Sequence, residues 1–175
     1  MSKPSPRILV AGIGNLFLGD DGFGVATAHR LARRRLPHGV TVTDFGIRGL
    51  DLAYALLEAF DGVIFIDVAA RGGTPGTLYV IEPSVPNVDT APLDVHGMDP
   101  VKVLAMAQAM GAPTTRTIIV ACEPEFLPPP DSEDVVMKLS APVAAAVDAA
   151  VSLVEEWVER LIASSPRATE VHNHV

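Results

Sequence analysis

Two aspartates and one histidine hold the chemical interest of this 175-residue chain. Asp67 stands near the carboxyl end of VIFIDV (63–68), a run that is otherwise wholly apolar. A carboxylate in such surroundings is costly unless it is hydrogen-bonded, paired or bound to a metal ion. Asp21 follows a glycine-rich stretch, GIGNLFLGDDGFG (12–24). His96 lies in LDVHGMDP (93–100), a loop that feeds a helix. Two hard carboxylates and one imidazole suit a first-row divalent ion with coordination positions left open. The set lacks a thiolate or a second histidine, which points to an ion held transiently rather than as a structural centre. Asp94 is placed to orient His96. Asp44 ends the segment VTVTDF (40–45) and reads as a turn residue accepting backbone N–H bonds, facing the same crevice. Asp20 reads as a helix cap.

Other nucleophiles fare worse. Cys122 precedes Glu123 and Glu125, and an acidic field disfavours the thiolate. No Gly-x-Ser-x-Gly elbow is present. A dinucleotide fingerprint would need a third glycine where Phe17 stands, and Asp20 and Asp21 would repel a phosphate at the following helix start. His29 falls on a helix surface, His38 in a loop, and His172 and His174 in the C-terminal stretch.

Positioning these residues requires a scaffold, and its elements are legible as hydrophobic periods. RILVAGI (7–13), VIFIDV and TIIVAC (117–122) are continuous apolar runs, the mark of strands buried on both faces of a parallel sheet. The first run stops at a glycine-rich turn and so reads as a strand, not a secretory signal. VTVTDF alternates and makes a further strand. GTLYVI (76–81) has no helix before it and reads as an antiparallel edge strand. Helical spacing runs from about Phe23 to Leu36, with Arg33, Arg34 and Arg35 in its last turn, and from Leu50 to Phe60. Asp99-Pro100 opens another helix, Asp as N-cap and Pro at the first position. Val143, Val147, Val151, Val154, Val158 and Leu161 mark a long C-terminal helix. The expected architecture is α/β: a three-layer sandwich with a mostly parallel twisted sheet of about five strands between helices. One domain is expected over 1–163, with 164–175 a flexible tail.

The composition narrows the function classes. Apolar residues make up 49% and charged residues 19%, which is enough for a core and too apolar for disorder. Thirteen basic against 21 acidic residues give a net charge of −8, with one short basic run, so nucleic acid is not an expected partner. No apolar run reaches the ~18 residues of a membrane span. A single cysteine rules out an internal disulfide and a cysteine-based zinc site. A cytoplasmic location is expected.

In this order and placement, GIGNLFLGDDGFG, DFGIRG (44–49), IDVA (66–69), the histidine of DVHGMDP (94–100) and CEPE (122–125) resemble the maturation endopeptidases of nickel–iron hydrogenases. The resemblance covers about residues 7 to 163. It implies one α/β domain that removes a C-terminal extension from the hydrogenase large-subunit precursor after nickel insertion. It implies nickel as a recognition element carried by that precursor, with no cofactor held tightly by the enzyme itself. The family's metal-contacting residues fall on Asp21, Asp67 and His96, which are then also the candidate catalytic groups. Many members carry Glu where Asp21 stands, one methylene longer. Asp44 matches a further acidic position and is a possible catalytic group. The family is often grouped with aspartic peptidases, without their paired Asp-Thr-Gly motifs. Two other classes are separable by experiment: a nickel checkpoint or chaperone that binds the same precursor without hydrolysis, and a nucleotide-binding α/β enzyme.

Overall fold

The computed structural model describes residues 5–84, 98–129 and 131–169. Strand β1 (Ile8–Ile13) is followed by a 3-10 turn (Gly19–Gly22) and helix α1 (Phe23–Leu31). Then come β2 (Val40–Gly46), α2 (Gly49–Ala55), β3 (Gly62–Val68), β4 (Leu78–Ile81), α3 (Pro100–Ala109), β5 (Thr117–Cys122), α4 (Ala141–Ser164) and α5 (Pro166–Thr169). The five strands form one sheet in the order β2-β1-β3-β5-β4. All pairings are parallel except β4 with β5, so GTLYVI is indeed an antiparallel edge.

The side-chain alternation of each central strand divides the core in two. Ile8 and Val10 of β1 point to the face covered by α1 and α4, where Phe23, Leu31, Val147, Val151 and Val158 meet them. Leu9, Ala11 and Ile13 point to the other face, against Leu52 and Ala53 of α2 and Val103 and Leu104 of α3. β1 is buried throughout, as its unbroken apolar run requires. No described helix is long and apolar enough to cross a membrane.

Gly24 determines how α1 seats on the sheet. A Cβ there would stand 2.0 Å from the Ile66 carbonyl oxygen and 2.2 Å from that of Ile13. The glycine lets the start of α1 touch the ends of β1 and β3 directly. Gly14 adopts φ 126°, and a Cβ on it would stand 1.8 Å from the Asp21 carbonyl oxygen. The glycines of this stretch thus serve close packing rather than a pyrophosphate.

Two expectations about helix ends need correction. α1 stops at Leu31, and Arg33 and Arg34 sit in tight turns beyond it, donating to the Arg30 and Leu31 carbonyls. Pro37 disfavours helix at the residue before it, and Arg34 instead reaches Glu155 of α4 at 3.0 Å. α2 ends at Ala55 as its last bonds tighten to i→i−3 at Leu57 and Glu58. Ser165 is buried and its hydroxyl donates to Asp61 at 3.0 Å, while Arg167 lies 3.4 Å from the same carboxylate. The described structure includes α5, and residues 170–175, with His172 and His174, lie outside the described residues. The expected cap of α3 is present: the Asp99 carboxylate accepts from Val101 N at 2.9 Å, with Pro100 at the first position.

Candidate functional site

The carboxyl ends of β1 and β3 lie side by side, because Gly12 is in register with Ile66. This is where ligands collect in open α/β sheets. After Ile13 the chain folds back on itself. Leu18 N donates to Asn15 O, Asp21 N donates to Leu18 O, and Asn15 N donates to the Asp21 carboxylate at 2.8 Å. The Asn15 side chain accepts from Phe17 N at 2.9 Å, closing an Asx turn inside the loop. Asp21 is thereby aimed at the end of β3.

Asp67 and Asp21 line one cleft of about 350 Å³, walled by Ile81, Met98, Val101 and Ile119 and joined by Asp99 at the start of α3. Asp67 is 8% exposed, and Val68 N donates to its Oδ1 at 2.8 Å. Burial holds its carboxyl well above the usual carboxylate range; the Val68 bond opposes this, and the charges of Asp21 and Asp99 add to it. Burial likewise raises Asp21, against the Asn15 bond. The cleft is therefore an apolar hollow in which ionised carboxylates are held under strain. A cation would relieve it.

His96 lies outside the described residues, and so does Asp94. The chain is described again from Met98, on the cleft wall two residues after it. Among the described residues no group of three His, Cys, Asp or Glu is close enough to hold a metal ion. The structure thus brings Asp21 and Asp67 together and adds Asp99, which reads from the sequence only as a cap.

Asp44 does not join them. It lies two residues before the end of β2, beside Gly12 of β1, and its carboxylate lies 2.7 Å from Nε2 of His29 on α1. Asp44 is not among the residues that wall the cleft; its register with Gly12 puts it on the α1 side of the edge strand, where His29 meets it. His29 is on the helix surface, as its position suggests, with Asp44 as its partner.

Two buried carboxylates escape a reading of the sequence. Asp20 is not a helix cap: its two oxygens accept four hydrogen bonds from residues 105 to 120 positions away. Glu123 accepts from Arg71 N at 2.9 Å, Gly72 N at 3.1 Å and the Tyr79 hydroxyl at 2.9 Å, tying down the loop after β3. Burial pushes the Glu123 carboxyl up, and the bonds from Arg71, Tyr79, Gly73 and Gly72 outweigh it and bring it below its ordinary value. Nothing near either residue in the sequence signals these distant partners.

Cys122 is fully buried, and its thiol is pushed up to about 11 by burial and by the charges of Asp20 and Glu123. At neutral pH the thiolate fraction is then on the order of one in ten thousand.

The hydrogenase maturation protease family model matches residues 25–157. The chain belongs to the hydrogenase maturation protease family. It is 35% identical over 161 residues to the hydrogenase expression/formation protein HupD of Rhizobium leguminosarum bv. viciae, covering 88% of this chain and 77% of that one. It is 29% identical over 125 residues to the hydrogenase 2 maturation protease of Escherichia coli, covering 70% and 76%. The solved hydrogenase maturating endopeptidase HybD of E. coli superposes with a TM-score of 0.68 at 25% identity, covering 88% of this chain and 93% of that one. A hydrogenase 2 maturation peptidase from a Thaumarchaeota archaeon gives 0.64 at 32% identity, covering 87% and 98%. The α/β sandwich with its five-stranded, mostly parallel sheet is the fold of these proteases. A maturation protease hydrolyses peptide bonds, and the nucleotide-binding reading is not favoured. In this protease the Cys122→Ala variant is expected to retain full peptidase activity. Loss of activity in a folded variant, judged by far-UV circular dichroism, would make the thiol part of the site.

Proposed function

We propose that this protease removes the C-terminal extension of a nickel-loaded hydrogenase large-subunit precursor, in the cytoplasm. The observation that carries the reading is the shared cleft of Asp21 and Asp67, two carboxylates whose charged forms burial disfavours. Such a pair attracts a cation, yet two carboxylates and an imidazole hold a divalent ion loosely beside thiolate-rich sites. Nickel therefore arrives with the precursor and lends its open positions to Asp21, Asp67 and His96. That contact docks the extension in the cleft. A water then attacks the scissile carbonyl, activated by the ion's charge or by a cleft carboxylate. Asp67 is the better base, because a carboxyl raised above its usual range holds a proton more strongly. The leaving amine takes up a proton as the peptide bond breaks.

The test compares three mixtures: apo precursor with metal-free protease, nickel-loaded precursor with metal-free protease, and apo precursor with protease pre-incubated with nickel. Cleavage is expected in the second alone. Equal cleavage of the apo precursor by metal-free protease would end the nickel-recognition reading and leave a peptidase whose carboxylates act directly. Binding of the nickel-loaded precursor without cleavage would favour the checkpoint or chaperone role.

A further inference from the structure

We infer that Asp20 is a positioning residue for this peptidase, acting through Asp21. The inference rests on the reading that Asp21 contacts the substrate. Asp20 is 2% exposed and does not line the cleft. Its Oδ2 accepts from Glu125 N at 2.9 Å, Phe126 N at 3.2 Å and the Ser140 hydroxyl at 2.9 Å, and its Oδ1 accepts from Ser140 N at 2.7 Å. An ionised carboxylate offers only acceptors, and here four donors converge on its two oxygens.

The partners explain the purpose. Glu125 and Phe126 follow β5, and Ser140 immediately precedes α4. β5 is the neighbour of β3, with Ala121 in register with Asp67. The carboxylate of Asp20 therefore ties the 3-10 turn that carries Asp21 to the chain leaving the strand beside Asp67. Gly19 N donating to Val136 O at 2.7 Å secures the same turn from the same side. Asp21 itself is anchored to its own loop by Asn15 N. Without the clamp, that loop and Asp21 move together relative to Asp67. With it, the separation of the two cleft carboxylates is set.

Asn cannot replace Asp20. Its amide nitrogen must face at least one of the four donors, and no flip avoids this. Asp61 supplies the control. It is another carboxylate holding distant segments, accepting from Arg7 N at 2.8 Å and from Ser165 Oγ, but it sits just before β3, at the opposite end of the sheet from the cleft.

The experiment measures steady-state cleavage of nickel-loaded precursor by the full chain and its variants, at a temperature where far-UV circular dichroism shows each to be folded. Asp20→Asn is expected to raise KM about tenfold or more, with a smaller change in kcat, since misplacement by an ångström is enough for such losses. Asp61→Asn is expected to melt earlier than the natural chain and to keep its KM. A natural KM in folded Asp20→Asn, with only a lower melting temperature, overturns the proposal and leaves Asp20 as a brace. Asp21→Asn separates the two layers. A natural KM there removes the reading of Asp21 as a substrate contact, and the positioning role with it. A raised KM in Asp21→Asn beside a natural KM in Asp20→Asn overturns the positioning role alone. Should Asp20→Asn not fold, Ser140→Ala removes the hydroxyl bond and leaves the carboxylate in place. A severalfold rise in KM is expected, and an unchanged KM overturns the proposal.

Discussion

Asp67→Asn protein is expected to resist heat better than the natural chain and to have lost its peptidase activity. Both effects come from one carboxyl. Asn keeps the shape and still accepts from Val68 N, but it carries no charge to bury. In the folded chain the Asp67 carboxyl titrates well above the ordinary range, through burial first and then through Asp21 and Asp99. The native state thus holds this proton more tightly than the unfolded chain does. Its contribution to stability is full below the unfolded value of about 3.9, and it is lost as pH rises through the native value. At neutral pH the natural chain carries that penalty and the variant does not. One pKa unit is worth about 1.4 kcal/mol, and one kcal/mol moves the melting temperature of a domain this size by ~2–4 °C. Melting curves at pH 7 and pH 4 give the check: the gain should be clear at pH 7 and shrink at pH 4. A variant that melts earlier at pH 7 would show that the ionised carboxylate has a compensating partner. Activity must fall at least ~100-fold if Asp67 contacts the metal or the attacking water.

Gly24→Ala is expected to be severely destabilising although it adds a single methyl group. The added carbon meets two carbonyl oxygens of the central strands at 2.0 and 2.2 Å. Neither can retreat without breaking sheet pairings on both sides, so α1 must lift. A cost above ~3 kcal/mol is expected, the upper part of the range for overpacking, against a total stability of ~5–15 kcal/mol. Gly72→Ala is the comparison. Gly72 has φ 78° and open space around its Cα, so its cost is the left-handed backbone alone, ~1–2 kcal/mol. Urea unfolding of the two variants should separate them clearly. Similar midpoints would mean that α1 can shift without loss.

The scaffold was legible because its physics is local. Strands buried on both faces are apolar almost throughout; β1 is wholly so, and β3 and β5 are apart from Asp67 and Thr117. Asp67 was legible for the same reason, as the one charge in such a run. Asp21 was legible through its glycine-rich loop and the family likeness. Asp20 was not, since its partners lie more than 100 residues away and a carboxylate before a helix has a ready local explanation. The partner of Asp44 was not legible either, since His29 stands fifteen residues back on another element. Ser165 escaped because a Ser-Ser-Pro sequence looks like a frayed end, while its burial depends on Asp61.

The strand order carries a consequence for how the protein is made. β4 leaves the ribosome long before β5, its partner in the sheet. From Ile81 to Cys122 the chain grows by 41 residues, which takes ~2–8 s at ordinary translation speeds. Throughout that interval Leu78-Tyr79-Val80-Ile81 is an apolar strand with no neighbour, the kind of segment that pairs with another chain. Only when β5 slips between β3 and β4 is it covered. The same event brings Glu123 to the loop after β3, and the arrival of residues 125–140 then supplies every donor that Asp20 needs. A nascent chain stopped before about residue 140 therefore has both cleft aspartates but not the frame between them. On this reading, newborn molecules become able to cut only once residue 140 has emerged.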